Sequence, residues 1–372
     1  MKALILTTAE HTARVEEVPK PVPGSSELLI KVHAVALNPV DALYVACPLA
    51  AQPNGSLGWI LQISSWASVM TFRPRLTRGR RWELEWQASC NEVRSQSTSP
   101  RSMSLEEAST IPTCGMTAAQ GLFFRLGVPC PFWPTPEAPQ SKLGRPLNVF
   151  VYGASSSLGL FAGQLANLVK QHSQVPIRLL GAARDSHHQM LKEHPYSFDA
   201  LFDYRQDDWP EQVTKFTDGT GVDFVMDCIS EESTVEMSSR TLNPTGKCAV
   251  FRPPKNNYDP DKLPTRLIYG AAYEAFGVAT DYGAFTFPVV PDAREFAAAF
   301  YQYLTDSGRA GQIKLRGNPV RLMPGGLDHI APDGLSILGA GVLGHLMNGK
   351  QHGRTETYMR PISAEKPVYN IS

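Results

Sequence analysis

The residues most able to do chemistry lie between Val149 and Gly159, which read Val-Phe-Val-Tyr-Gly-Ala-Ser-Ser-Ser-Leu-Gly. The apolar run Leu147–Tyr152 meets a small-residue turn. An apolar-periodic segment with Leu160, Phe161, Leu165, Ala166 and Leu168 follows at once. Strand, tight turn and helix in that order present backbone N–H groups and the positive end of a helix dipole to a phosphate. The turn must be small because a pyrophosphate approaches the backbone closely. Gly153 and Gly159 remain of the glycine fingerprint, with Ser156 where a middle glycine is common. Alone, the motif also fits a strand-to-helix turn that binds nothing.

Three further groups converge on a nucleotide. After the second strand the chain reads Ala182-Ala-Arg-Asp-Ser186. An acidic side chain directly at that strand end would bind a ribose 2′-hydroxyl and repel a 2′-phosphate. Here alanines close the strand and Arg184 follows, which favours NADPH. Asp185 or Ser186 fits equally well as a helix cap. Asp203-Tyr-Arg205 follows a short strand, and Tyr204 suits either a phosphate contact or a half-buried strand position. Asp227-Cys-Ile-Ser230 sits at the carboxyl end of the fourth strand of the series, the edge where open α/β sheets bind ligands.

The elements that must carry these groups alternate. From Pro146 the pattern predicts strands at 147–152, 177–182, 201–204, 223–227 and 247–251. It predicts helices at 158–171, 187–193, 211–217 and 232–242, hence parallel βαβ units and a doubly wound sheet. Ahead of them, Lys2–Leu6 and Glu27–Ala36 read as strands separated by the turn Pro21–Gly24, and Asn38-Pro-Val-Asp41 breaks the second strand. Ser104-Leu-Glu-Glu107 is a capping box opening a helix that reaches Ile111, where Pro112 restricts it. Thr113–Thr117 reads as a turn and Ala118–Leu126 as a second helix. Pro129–Arg145 reads as an irregular segment. Ala293–Asp306 carries an apolar stripe at Phe296, Ala299, Phe300 and Tyr303, and Pro367–Ile371 reads as a closing strand.

Composition excludes several classes. The 372 residues suit two domains, and 42% hydrophobic with 19% charged residues suits a large core. Zero formal net charge gives no electrostatic footprint for nucleic acid or an anionic membrane. The amino-terminal apolar run is too short for a signal peptide, and nothing approaches the ~18 apolar residues of a membrane span, so a cytoplasmic protein is expected. Six cysteines, with no Cys-x-x-Cys pair, read as reduced thiols rather than a disulfide framework. Nine histidines show no metal-ligand spacing, and the adjacent His187 and His188 point to a surface loop.

The chain resembles the medium-chain dehydrogenase/reductases, and within them the zinc-free fungal trans-acting enoyl reductases of polyketide biosynthesis. The resemblance is carried by Ala34-Val-Ala-Leu-Asn-Pro-Val-Asp41, by Met103–Ala119, by Val151-Tyr-Gly-Ala-Ser155, by Phe202-Asp-Tyr-Arg205, by Asp227-Cys-Ile-Ser230 and by Arg360-Pro-Ile-Ser-Ala-Glu-Lys366. It implies an α/β architecture: a GroES-like β-rich catalytic domain over 1–145, a Rossmann NADPH-binding domain over 146–287, and a segment over 288–372 that rejoins the first. Ser155, Ser156, Ser157 and Leu158 would contact the pyrophosphate. Ala183, Arg184, Asp185, Ser186 and Tyr204 would hold the 2′-phosphate. Val40, Asp41, Ile362 and Ser363 would approach the nicotinamide. Thr117, Ala118, Phe124, Gly270, Ala271, Tyr273 and Glu274 would border an acyl pocket. The partner would be a polyketide synthase presenting a carrier-bound acyl chain. The oligomeric state stays open.

Two departures qualify this. Zinc-dependent relatives carry a cysteine before the aspartate, a Gly-His-Glu pair and a four-cysteine lobe, and none can be read here, so no metal is expected. Several relatives carry a lysine two residues after the motif aspartate; this chain has Leu43, and the resemblance supplies no proton donor. The second departure is 56–102, with Trp59, Trp66, Trp82, Trp86 and seven arginines but no sustained period. Relatives have three recognisable motifs there. A shifted frame or a mispredicted exon would give such a stretch, and 339–353 has the same character. A free-standing quinone or enone oxidoreductase, an inactive NADPH-binding remnant and a scaffold without a nucleotide site are the alternative readings.

Overall fold

The computed structural model describes residues 1–7, 12–20, 22, 31–46, 103–135, 144–172, 176–254, 258–263, 267–281, 286–312, 314–338 and 354–371. The expectations for 21 and 23–30, for Cys47 and Cys90, for 56–102 and for 339–353 lie outside the described residues. The chain divides into two compact units. One comprises Met1–Thr113, Thr280–Phe287 and Arg316–Ser372; the other comprises Cys114–Ala279 and Pro288–Leu315. The amino-terminal part of the first unit thus closes at Thr113, ahead of the expected 145.

In chain order the first unit opens with β1 (Lys2–Thr7) and β2 (Thr12–Glu17), an antiparallel pair of which only β1 was expected. Next come β3 (Ala34–Ala36) and α1 (Pro39–Ala46). The strand expected over 27–36 is confined, among the described residues, to 34–36. What breaks it at Asn38 is a helix start, with Pro39 at the first helical position, where a missing N–H costs nothing. α2 (Leu105–Ser109) has the expected capping box: Glu107 N–H donates to Ser104 Oγ at 3.1 Å, and Ser104 N–H donates to Glu107 Oε2 at 2.9 Å. α3 (Ile111–Ala119) follows after one residue, so the turn expected at 113–117 is helix. Pro112 does not end a helix here; it lies in the first turn of a new one, where no intrahelical donor is needed. A π-helical stretch, Gln120–Arg125, continues α3.

The second unit, which takes over within α3 at Cys114, then runs β4 (Leu147–Tyr152), α4 (Ser157–His172), β5 (Ile177–Ala182), α5 (His188–Lys192), β6 (Ala200–Phe202), α6 (Trp209–Phe216), β7 (Val222–Asp227), α7 (Glu232–Arg240), β8 (Leu242–Val250) and β9 (Leu267–Tyr269). All six strands are parallel, in the order β6-β5-β4-β7-β8-β9. β4 and β7 lie side by side where the strand order reverses, the switch point of a doubly wound sheet. β4 and β7 are buried along almost their whole length, as a sheet covered on both faces requires. His187 and His188 join a 3₁₀ turn to α5 rather than lying in a loop.

The chain returns to the first unit as β10 (Thr280–Asp281) and β11 (Thr286–Phe287), an antiparallel pair. α8 (Pro291–Arg309) belongs to the second unit, with Phe296 and Phe300 fully buried on its expected stripe. β12 (Val320–Met323) and β13 (Lys366–Asn370) complete a three-stranded sheet in the first unit, order β12-β13-β3. Its core gathers Leu4, Val35, Leu37, Ala42, Met323, Ile330 and Tyr369. Among the described residues no helix is long and apolar enough to cross a membrane.

Candidate cofactor-binding edge

The turn from β4 into α4 is closed by its own small residues. Gly153 takes φ +71°, a conformation that disfavours side chains. Ser156 N–H donates to Gly153 O at 2.8 Å, and Ala154 N–H donates to Ala182 O at 2.9 Å, tying the turn to the end of β5. Ser156 caps the helix, its Oγ accepting Gly159 N–H at 3.1 Å. Gly159 is required by packing: a Cβ there would overlap Gly153 O and sit 2.8 Å from the carbonyl carbon of Ala154. Ser155–Leu158 therefore stand at the amino end of a 16-residue helix whose backbone has been brought tight against the turn.

The ends of β5 and β6 are stitched together beside it. Ala183 is buried; its N–H donates to Phe202 O at 3.0 Å, and its carbonyl lies 3.0 Å from His188 Nε2. Arg184, Asp185 and Ser186 are exposed. The Asp203 carboxylate accepts both the side chain and the N–H of Arg205, and the N–H of Asp185. The Arg205 guanidinium holds that carboxyl well below the usual carboxylate range. Arg205 is thus committed to Asp203, while Arg184 makes no salt bridge among the described residues. The Tyr204 ring, 36% exposed, lies 6.2 Å from that of Tyr152.

Next to this edge, Asp227 builds the turn after β7. Its Oδ1 accepts the N–H groups of Ile229 and Ser230, each at 2.9 Å, and its Oδ2 accepts Thr234 Oγ1–H at 2.7 Å. Burial pushes its carboxyl up to about 6 against these donors. Ser230 sits at φ +59°, donates to Asp227 O and accepts Phe251 N–H at 2.9 Å. Cys228 N–H donates to Tyr152 O at 3.1 Å, so this turn and the Gly153 turn are neighbours.

Elsewhere in the second unit, Thr117 and Ala118 lie on α3 and Phe124 on the π-helical stretch; Ala118 is fully buried. Residues 270–274 are organised around a side chain that the sequence did not single out, Arg125. Its Nη2 donates to Glu274 Oε2 at 3.0 Å and to Ala271 O at 3.2 Å, with both side chains nearly buried. Gly270 makes room for this guanidinium, since a Cβ there would overlap Arg125 Nε. Gly270, Ala271 and Glu274 thus carry an internal ion pair. Tyr273 stacks on Phe276. Gln120 was also missed: it is fully buried, and neither Oε1 nor Nε2 has a hydrogen-bond partner among the described residues. A polar residue in an apolar helical run was the available signal.

In the first unit, Val40 and Asp41 lie in the first turn of α1. Asp41 is fully buried; its Oδ2 accepts Asn38 N–H at 2.7 Å, half of a capping box, and burial pushes its carboxyl up to about 7. Lys366 Nζ donates to Asn38 Oδ1. Ile362 packs against the core of this unit, and Ser363 is exposed.

The family described as zinc-binding dehydrogenase matches residues 157–268, within the parallel-sheet unit. Trans-enoyl reductase FSL5 of Gibberella zeae is 28% identical over 352 residues, covering 85% of this chain and 87% of that protein. The solved structure of CurK enoyl reductase covers 100% of this chain and 99% of that one, with a TM-score of 0.61 and 17% identity. A mycobacterial protein, Rv1454c, complexed with NADPH gives a TM-score of 0.56 at 17% identity over 100% of this chain and 99% of that one. Both structures share the fold. The described residues do not fit the zinc in the family's description. No group of three His, Cys, Asp or Glu side chains among them is placed for a metal, and Asn38 and Asp41 stand beside a lysine ammonium instead.

Proposed function

We propose that this chain, a member of the medium-chain dehydrogenase/reductases, is an enoyl reductase that uses NADPH to saturate the α,β-double bond of an acyl thioester carried by a polyketide synthase. The observation that carries the reading is the Gly153–Gly159 turn. Its backbone is drawn so close at Gly159 that only hydrogen fits, and it lies beside an exposed Arg184 with no salt bridge among the described residues. That combination suits a dinucleotide with an extra phosphate.

Ser155, Ser156, Ser157 and Leu158 would hold the pyrophosphate at the amino end of α4. Arg184 supplies the charge for the 2′-phosphate, with Ser186 and Tyr204 completing the site. Ala183 is fully buried with its N–H on Phe202 O and its carbonyl beside His188 Nε2, so its part would be to hold this loop beneath the phosphate. Asp185 is the residue that works against a phosphate, and its N–H bond to Asp203 holds this loop in place. Val40, Asp41, Ile362 and Ser363 would approach the nicotinamide. Thr117, Phe124 and Tyr273 would border the acyl group, with the fully buried Ala118 behind them and Gly270, Ala271 and Glu274 fixing that wall through Arg125. When bound, the dihydronicotinamide supplies a hydride to the β-carbon of the enoyl group. Charge then builds on the thioester oxygen, a proton from water would complete the saturation at the α-carbon, and the protein's task is to position the acceptor and stabilise that charge by hydrogen bonds.

The similar fungal proteins are named trans-enoyl reductases, which supports enoyl reduction in trans with a synthase; the carrier-bound substrate is the part of the proposal that the assay decides. The test is titration calorimetry with NADPH and NADH, then cofactor oxidation with a crotonyl pantetheine thioester, a carrier-bound enoyl chain and a small quinone. The expected result is NADPH-selective binding and turnover of the carrier-bound chain. Arg184→Ala should weaken NADPH roughly 10-fold or more, the loss of a charge-assisted hydrogen bond, with NADH little changed. No response to NADPH refutes the reading. Turnover of the quinone alone favours the free-standing oxidoreductase.

A further inference from the structure

Lys366 is 2% exposed. Lysines are almost never buried unless something inside requires the charge. Lys366 opens β13, the central strand of its sheet, and β13 pairs with β3 at Val368↔Ala36, Tyr369↔Val35 and Asn370↔Ala34. The pairing continues past the end of β3, with Leu37 N–H donating to Pro367 O at 2.9 Å. One further step of the same antiparallel register sets Lys366 opposite Asn38. There the ladder ends and side chains take over: Lys366 Nζ donates to Asn38 Oδ1, and Asn38 N–H donates to Asp41 Oδ2. The ammonium also stabilises the charged form of the fully buried Asp41. Asp41 Oδ1 has no hydrogen-bond partner among the described residues, so that carboxyl is held on one side only.

We propose that Lys366 is a positioning residue for the active site. From the carboxyl-terminal strand it fixes the orientation of the first turn of α1, and so of Val40 and Asp41, through Asn38. The proposal rests on the reading that Val40 and Asp41 approach the nicotinamide. A lysine only donates hydrogen bonds, so it fixes the carbonyl end of the Asn38 amide. The Asn38 main chain in turn anchors the carboxylate that caps α1. This assigns a purpose to the return of the chain to its first unit: the last strand supplies a cation that no residue of the amino-terminal segment 34–46 provides.

The test compares the full chain with Lys366→Met, which keeps the aliphatic stem, and Lys366→Arg, which restores the charge. Hydrogen exchange of a peptide spanning residues 38–43 should speed up about tenfold or more in Lys366→Met, with the exchange of β4 and β7 unchanged. Turnover should fall roughly 10- to 100-fold, the effect of misplacing a reacting group by an ångström or less. KM for the acyl thioester should stay within about twofold, since its binding wall lies on other residues. Lys366→Arg should recover part of the turnover. Unchanged exchange at 38–43 in a folded Lys366→Met overturns the proposal. So does a loss of thermal stability with no split between turnover and KM. If the wild-type chain reduces no enoyl thioester, the functional reading fails, and the exchange measurement still decides the role of Lys366.

Discussion

Replacing Asp41 with asparagine should change how stability depends on pH more than it changes stability itself. Asp41 is fully buried, and burial raises its carboxyl from 3.8 to about 7 although Asn38 N–H and the Lys366 charge pull the other way. The unfolded chain ionises this group near pH 4, and the folded chain resists doing so until near pH 7. A carboxyl raised on folding contributes stability below its unfolded value and loses it as pH climbs through the folded one. A displacement of about 3 pH units at about 1.4 kcal/mol each is on the order of 4 kcal/mol. The asparagine side chain has the same shape and never ionises. At pH 4 both proteins therefore carry a neutral side chain at this position, and at pH 8 only the wild type must bury a charge. Urea unfolding of both at pH 4, 5, 6, 7 and 8 reads the difference directly. The wild type should lose about 4 kcal/mol relative to Asp41→Asn across that range, mostly between pH 4 and 7. Asp227, raised to about 6, acts in the same direction but is common to both proteins and cancels. A gap between the two proteins that stays constant from pH 4 to 8 refutes the reasoning.

Two packing predictions concern glycines. Gly159→Ala drives a methyl group into Gly153 O, so the β4–α4 turn must open; about 1–3 kcal/mol of stability should be lost, and NADPH affinity should fall about tenfold or more by calorimetry. Gly270→Ala drives a methyl into the Arg125 guanidinium and parts it from Glu274, which should cost about 3–5 kcal/mol in denaturant unfolding. The paired replacement Arg125→Met with Glu274→Leu, which removes both charges, should cost far less than either single change.

Much of the second unit was legible because its signals are local. β4, β5 and α4 follow from apolar runs and a small-residue turn, and each lies where that pattern puts it to within a residue. The capping box at Ser104 is likewise a matter of two residues three apart. Local reading misled at Pro112, which the sequence takes for a helix end and the structure uses as a helix start. The difference is whether the N–H that proline lacks would have had an acceptor, and that depends on where the preceding helix stops. β9 and β2 were missed because their short runs become strands only when a neighbour offers its edge.

The candidate site divides along the same line. The glycine turn, Arg184 and Tyr204 are chemistry written in sequence order, close to the strand ends that display them. The partners that define the roles of Arg125 and Lys366 lie 149 and 328 residues away. Sequence alone set the alternation of strand and helix and the phosphate-sized turn, since both arise from periodicity and backbone sterics within a few residues. Only the tertiary structure decided which buried charges meet. Desolvation and pairing act over a few ångströms of space, and folding alone brings Lys366 beside Asn38.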